Sequence, residues 1–505
     1  MLHDDLDQIR FRRQKLADLK AAGLDPYLIE RFERTHNALA IVSHFEAHEG
    51  AQVRLAGRIT ALRLQGKALF LDVTDETGRI QVYVRQNEVG EDHFRRIRDM
   101  DTGDIIGVAG SVFRTRTGEI TVHAADVVLL AKCLRPLPVG KEVDGVRHAA
   151  LSDVEVRHRY RYVDFIVNPT ARELLVKRAR MVTAIRAFLD SRGYIEVETP
   201  VLQGVAGGAA ARRFETKHNA LDLRLDLRIA LELPLKRLIV GGMPRVYEIG
   251  RVFRNEGQDK RHNPEFTLLE LYEAYADLDD IMGLVEQMYE VACIAVNGSS
   301  RFTVPADAGR GSEGPIEVDL AERPWPRLRI VDGIEQYAGV SRTELSDLTS
   351  AKAACERVGI PSKDENCVGG IIEKLHERFV QPHLIRPTFV TDFPVETSPL
   401  AKRKQDDPAY TRRFEVYMAG QELGNAFSEL NDPIEQRLRF EEQARQLAGG
   451  NAEAHPMDED FLMALEYGMP PTGGLGVGID RLLMALTGTD SIREVIAFPL
   501  LRPER

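Results

Sequence analysis

Four cysteines in 505 residues, with no CxxC pair among them, leave this chain without a disulfide framework or a thiolate zinc site. Cys133, Cys293, Cys355 and Cys367 are scattered, as expected of a protein kept in a reducing compartment. No run of about 18 apolar residues occurs, so no membrane-spanning helix is expected. The opening residues, MLHDDLDQIRFRRQK, lack the apolar core of a secretory leader, and a cytoplasmic protein is expected. Internal repeats and low-complexity segments are missing as well. So is any excess of positive charge: the formal net charge is −11, which argues against nucleic-acid binding through bulk charge. A local site is not excluded, because residues 52–136 hold thirteen Lys/Arg against eleven Asp/Glu.

What is present fits a globular protein with ample core: 43% of residues are apolar and 29% charged. Length alone suggests roughly three domains of about 150 residues. Residues 1–50 read as a helical extension, with Leu6, Ile9, Leu16 and Leu19 at helical spacing before Gly23 and Pro26. Residues 51–136 change character: five short β-rich runs, one helical stretch (Glu91–Arg98), and turns at Thr77-Gly78 and Thr117-Gly118 predict a small OB-type barrel. Such a barrel binds single-stranded nucleic acid by stacking bases on aromatics and reading their edges with polar groups. Phe70 and Gln81 lie on adjacent predicted strands, with Arg63 just upstream; Phe70 could equally belong to the barrel core. Residues 137–151 read as a linker, on the run LRPLPVGKEVDG (134–145) with its two prolines and two glycines.

Residues 152–505 form one large predicted α+β unit with a helical insertion over about 334–384. Thr170-Ala-Arg-Glu173 has a capping-box pattern and opens a helix with Leu174, Leu175, Met181, Ile185, Phe188 and Leu189 as its stripe. After Gly193, YIEVETPVL is expected as a strand ending at Pro200.

The chemistry concentrates in three places. RVYEIGRVFRNE (245–256) and PEFTLLELYEAY alternate as two strands of a hairpin. On the second, Thr267, Leu269 and Leu271 form a core face, while Phe266, Leu268, Glu270 and Tyr272 point the other way into a cavity. A buried carboxylate there needs water or a cation, and a ligand amine would serve. A second acidic group follows in RRFEVYMAGQELGNAFSELND (412–432). Asn425, Phe427 and Glu429 share a face with each other, and Glu422 joins the cavity only if a bulge at Gly424 re-aims its strand. The third piece is GGLGVGIDRLLMAL (473–486). It fits GxGxxG poorly, but its glycines would let the backbone approach a ligand as the chain enters a helix beginning Asp480-Arg481.

These stretches resemble the motifs of class II aminoacyl-tRNA synthetases, and from about residue 10 onward the chain resembles the bacterial-type lysyl-tRNA synthetases. GYIEVETPVL looks like motif 1, FRNEG…RHNPEFT like motif 2 and GLGVGIDRLLM like motif 3; GGAAAR, HNALDL, ETSPLAK, ELGNAFSELND, GLDPY and GDIIGVAGSVFRTRTGE match too. Class I signatures HIGH and KMSKS are absent. The resemblance implies an α+β fold: an antiparallel class II catalytic sheet flanked by helices, preceded by an OB-fold anticodon-binding domain. It implies a ligase that joins L-lysine to ATP, then to the 3′ end of tRNA-Lys, with Mg²⁺ and as a homodimer.

By the same resemblance Arg254 and Arg481 are the catalytic cations. Arg254 grips the α-phosphate and the substrate carboxylate, and Arg481 meets the γ-phosphate. Glu256, His262, Phe266 and Glu422 would complete the ATP site, and Glu415 and Glu422 would hold Mg²⁺. Gly208 and Glu232 would receive the lysine α-amine, Glu270, Tyr272, Phe427 and Glu429 its side chain, and Asn425 would contact it alongside Arg254. Arg63, Phe70 and Gln81 would read the anticodon. IALELPLKR departs from the APELYLKR form of relatives at Leu231 and Pro234, where local repacking is expected. Three alternatives remain at this point: a paralogue lysylating a protein, an aspartyl or asparaginyl enzyme, and a non-catalytic tRNA-binding protein.

Overall fold

In the computed structural model, residues 6–138, 142–143, 146–147, 151–306, 314–363, 365–448 and 456–503 are described. The chain divides between Asn168 and Pro169 into two compact units. Most of the segment read as a linker, 137–151, lies outside the described residues.

In the first unit, strands β1 (Gln52–Gln65), β2 (Ala68–Thr74), β3 (Arg79–Arg85), β4 (Ile105–Arg114) and β5 (Ile120–Ala131) close into a barrel in the order β1-β2-β3-β5-β4. The helix Glu91–Arg98 lies between β3 and β4, as its sequence predicted. Alternation decides what fills the barrel. Leu69, Leu71 and Val73 of β2 and Ile80, Val82 and Val84 of β3 are buried, so Phe70, Gln81 and Tyr83 take the opposite parity and point outward. Phe70 is therefore not a core residue.

The second unit is built on an eight-stranded sheet. Its strands are β6 (Ile195–Glu196), β7 (Arg245–Phe253), β8 (Glu265–Ala274), β9 (Arg327–Arg329), β10 (Thr388–Thr391), β11 (Arg413–Met418), β12 (Gln421–Ser428) and β13 (Thr472–Gly478). Their order is β9-β10-β11-β12-β13-β8-β7-β6, antiparallel except for the two edge pairs. One face carries Leu269, Leu271, Val416, Ala426, Leu475 and Val477, buried in a core shared with the helices Pro169–Ser191, Leu278–Asn297 and Ile479–Thr487. Full burial of each such aliphatic side chain is worth about 1.5–3 kcal/mol. The other face is the polar one.

Local departures from the sequence reading have local causes. The helix starts at Pro169, not at Thr170, because proline's fixed φ and missing N–H suit the first helical position. Of YIEVETPVL, Ile195–Glu196 is strand in this sheet and Leu202 opens a separate short strand, Leu202–Gln203; between them the Thr199 N–H and hydroxyl turn to the Glu248 carboxylate. The β7 strand ends at Phe253, so Arg254, Asn255 and Glu256 belong to the loop. There the Arg254 N–H donates to the Pro264 carbonyl and the Asn255 N–H to the Arg212 carbonyl. Pro234 sits in the first turn of the helix Glu232–Val240, where its missing N–H breaks no helical bond. The insertion is helical from Ile330, with Leu348–Arg357 and Val368–Leu375 following and its own apolar core.

Candidate active site

Across the polar face of the sheet lies a cavity of about 670 Å³. Strand register explains how the glycine strand makes it. Gly476 lies opposite Glu270 of β8 on one side and Asn425 of β12 on the other; Gly474 lies opposite Tyr272 and Phe427. Two rows of functional side chains therefore flank a strand that carries none at these positions. A Cβ on Gly474 would come within 2.0 Å of Glu429 Oε1 and 2.6 Å of the Tyr272 ring. The run that resembles a phosphate loop leaves room for a carboxylate and a phenol.

Three carboxylates are buried at one end: Glu232 at the start of its helix, Glu270 on β8 and Glu429 just past β12. Glu270 accepts from the Leu231 N–H (2.9 Å) and from the Tyr272 hydroxyl (3.0 Å). Lys236, one helical turn beyond Glu232 and fully buried, forms ion pairs with both Glu232 and Glu429. The sequence reading missed Lys236; its i,i+4 spacing from Glu232 was the available signal. With one ammonium for three carboxylates, the cluster is short of positive charge. Burial and the neighbouring Glu232 push the Glu270 carboxyl up to about 7, and burial also raises Glu429. Glu429 Oε1 is buried with no hydrogen-bond partner among the described residues. An ammonium-bearing ligand answers both deficits. Gly208 borders the same end at φ +92°, and a Cβ there would press on the side chains of Ala230 and Glu232 at 3.1 and 3.0 Å.

At the other end stand Arg254, Glu256, His262, Phe266, Glu422 and Arg481, all lining the cavity. The Arg254 guanidinium lies 5.1 Å over the Phe266 ring, and its Nε donates to the Ile229 carbonyl at 3.3 Å. Asp480 accepts from the Thr267 N–H (2.7 Å) and from Arg178 (2.8 Å), pinning the start of its helix to β8. The next residue, Arg481, reaches His262 Nε2 at 3.0 Å and Glu422 Oε2 at 3.4 Å. Because Arg481 donates to Nε2, the imidazole proton sits on Nδ1, 2.8 Å from Asp259 Oδ2.

Glu422 reaches the cavity through a bulge. Val416 pairs with Gly424 but Tyr417 with Glu422, so Leu423 is the extra residue, one position before the glycine where the shift was expected. Glu415 does not line the cavity; its buried carboxylate accepts from Arg413 and from the Tyr417 hydroxyl. Burial and the charge of Glu422 raise its pKa. Two carboxylates that repel one another fit a hard divalent cation, although among the described residues no group of three or more His, Cys, Asp or Glu gathers as a metal site.

Arg63, Phe70 and Gln81 belong to the other unit, on the outer surface of the barrel. Phe70 packs on Tyr83 (ring centroids 4.9 Å), Tyr83 on His123 (5.3 Å), and Phe113 lies 5.9 Å from His123. Thr121 donates to Gln81 Oε1 at 3.1 Å. Asp72 accepts two bonds from Arg63, at 3.0 and 3.1 Å, and lies 3.2 Å from Arg79. The sequence reading left out Tyr83, Phe113 and His123, yet Tyr83 shares the parity of Gln81 and was legible by counting.

Known proteins resemble this chain over both units. The family described as tRNA synthetases class II (D, K and N) matches residues 153–502, and an OB-fold nucleic acid binding domain matches residues 53–130. The lysine–tRNA ligase of Thermoanaerobacter sp. (strain X514) is 51% identical, over 98% of this chain and 96% of that one. That of Moorella thermoacetica is 50% identical over 100% and 99%, and that of Bacillus subtilis 47% over 99% and 98%. The chain belongs to the class II tRNA synthetases.

Proposed function

We infer that this chain activates L-lysine with ATP and transfers it to tRNA. Full-length relatives named lysine–tRNA ligase support the activity. The observation in the site that carries the choice of lysine is the buried carboxylate cluster, undersupplied with cations and ending in the unpartnered Glu429 Oε1. An aspartyl or asparaginyl substrate would bring a carboxylate or a neutral amide to that cluster. A paralogue without the barrel is disfavoured by its presence, and a non-catalytic protein by the retained Arg254, Glu256, His262, Glu415, Glu422 and Arg481.

In the first step an oxygen of the lysine carboxylate attacks the α-phosphorus, the bond to the β-phosphate oxygen breaks, and pyrophosphate leaves. The nucleophile is already ionised, so the work is positioning and charge neutralisation. Arg254 is assigned to hold the carboxylate and α-phosphate, a task suited to its planar fork. Phe266 stacks on adenine, with Glu256 and His262 along the nucleotide, and Arg481 takes the γ-phosphate. Glu232 and Gly208 receive the α-amine. Glu270, Tyr272 and Glu429 receive the ε-amine, while Asn425 and Phe427 form the wall. Glu415 and Glu422 are the residues that would hold Mg²⁺, which supplies charge neutralisation at phosphate oxygens. In the second step the tRNA 3′-terminal hydroxyl attacks the adenylate carbonyl and AMP leaves. Phe70, Gln81 and Arg63 are assigned to the anticodon.

We also propose a homodimer in the cytoplasm. The helix Pro169–Ser191 supports pairing by leaving Val176 exposed in a shallow apolar groove with Leu175, Ala179 and Ala184. Among the described residues no helix is long and apolar enough to cross a membrane.

Pyrophosphate exchange by the purified chain should depend on lysine and not on aspartate or asparagine. Glu429→Gln should raise the KM for lysine by about 10- to 150-fold, the worth of a charge-assisted hydrogen bond, with little change for ATP. Equal exchange with aspartate would overturn the assignment.

A further inference from the structure

We propose that Lys236 is a specificity-determining positioning residue, whose buried ammonium trims the charge of the three-carboxylate cluster to match the two ammonium groups of the substrate. The proposal rests on the lysine-site reading above. Lys236 touches no substrate in it. It acts through Glu232, assigned to the α-amine, and Glu429, assigned to the ε-amine, and it pairs with both.

The placement is specific. Lys236 lies on the inner side of the helix Glu232–Val240 and is completely buried. Glu232 faces it from its own helix, Glu429 from the segment after β12, and the Tyr272 ring from β8, with the ammonium 5.8 Å from the ring centroid. Glu270 adds its charge to Glu232 and Glu429, and the Arg413 guanidinium on β11 acts on Glu232 from further away. Arg254 acts on Glu270 and is left for the substrate carboxylate.

Three carboxylates and one fixed ammonium leave two negative charges. Lysine brings two ammonium groups there, and its carboxylate goes to Arg254. The bound state is then neutral at both ends, which matters because an uncompensated buried charge costs several kcal/mol. An amino acid without a cationic side chain leaves one carboxylate unmatched, and an acidic side chain leaves more. Discrimination therefore rests on repulsion as well as attraction. A neutral side chain at position 236 would leave three charges for two ammonium groups and force one carboxyl to stay protonated. Burial by itself would lower the pKa of Lys236, but Glu232 and Glu429 outweigh burial and keep the ammonium charged.

The test is Lys236→Met in the full chain, assayed by lysine-dependent pyrophosphate exchange between pH 6 and 9, with the KM for ATP measured alongside. The expected result is a lysine KM raised by about tenfold or more, an ATP KM within about twofold, and a lysine KM–pH profile displaced to higher pH. Lysine KM and profile both as in the parent protein would overturn the proposal. Should Lys236→Met fail to fold, Lys236→Ala with added propylammonium replaces it. Recovery of lysine KM with propylammonium and not with 1-propanol supports the charge role; equal recovery with both, or with neither, overturns it. A parent protein without any lysine-dependent exchange would instead bring down the lysine-site reading, and this proposal with it.

Discussion

Gly474 and Glu429 occupy one volume: a methyl group on Gly474 would lie 2.0 Å from Glu429 Oε1. The glycine belongs to β13, and the carboxylate to the residue just past β12, which bridges to Ala401. Gly474→Ala should therefore displace Glu429 and the Tyr272 ring, at an overpacking cost of about 1–3 kcal/mol. The expected outcome is loss of lysine-dependent exchange with ATP binding retained. Unchanged lysine KM in a folded variant would show that the carboxylate has somewhere else to go.

Lysine binding should depend on pH near neutrality. The Glu270 carboxyl is raised to about 7, first by burial and then by Glu232, so below that pH it carries a proton in the free protein. The ε-ammonium of lysine stays charged across this range, its ordinary pKa being about 10.4. Rising pH from 6 to 8 should thus tighten lysine binding, by up to about tenfold per unit for each proton released. Calorimetry in two buffers of different ionisation enthalpy counts those protons. Binding without proton release would contradict the assignment of Glu270.

On the barrel, Phe70→Ala removes the end of an aromatic row whose core-facing neighbours, Leu69 and Leu71, are untouched. Base stacking on an aromatic is worth about 1–3 kcal/mol, so tRNA charging should fall by about 5- to 150-fold. Adenylate formation should keep its rate. If both steps slowed equally, Phe70 would serve the fold and not the anticodon.

His376 offers a stability test away from the cavity. It is buried, neither ring nitrogen has a hydrogen-bond partner among the described residues, and its ring stacks edge-on to Tyr417 at 4.9 Å. Burial lowers its pKa from 6.5 to about 4. The unfolded chain therefore takes up a proton first, and stability is lost as pH falls below about 6.5, toward a total of about 3 kcal/mol near pH 4. His376→Phe should lose less melting temperature than the parent between pH 7.5 and 5. Equal acid sensitivity would mean that the imidazole escapes its pocket.

Much of this architecture was readable along the chain because it depends on period and punctuation. Period-two alternation separated Leu269 and Leu271 from Glu270 and Tyr272, and placed five strands where the barrel has them. Parity also posed the right question about Glu422, whose route to the cavity is the bulge at Leu423. Where propensity met a tertiary partner, the partner won: YIEVETPVL is interrupted as strand between Glu196 and Leu202, where Glu248 captures Thr199.

The sequence by itself determined the class of fold and the acidic character of one end of the cavity, because alternation and residue type carry those directly. Only the tertiary structure decided that Lys236 stands among the acids, that Gly474 makes room for Glu429, and that Glu415 is held by Arg413 outside the cavity. Those facts depend on which side chains share one buried volume. Electrostatic energy there follows distance and desolvation, and neither can be counted along a chain.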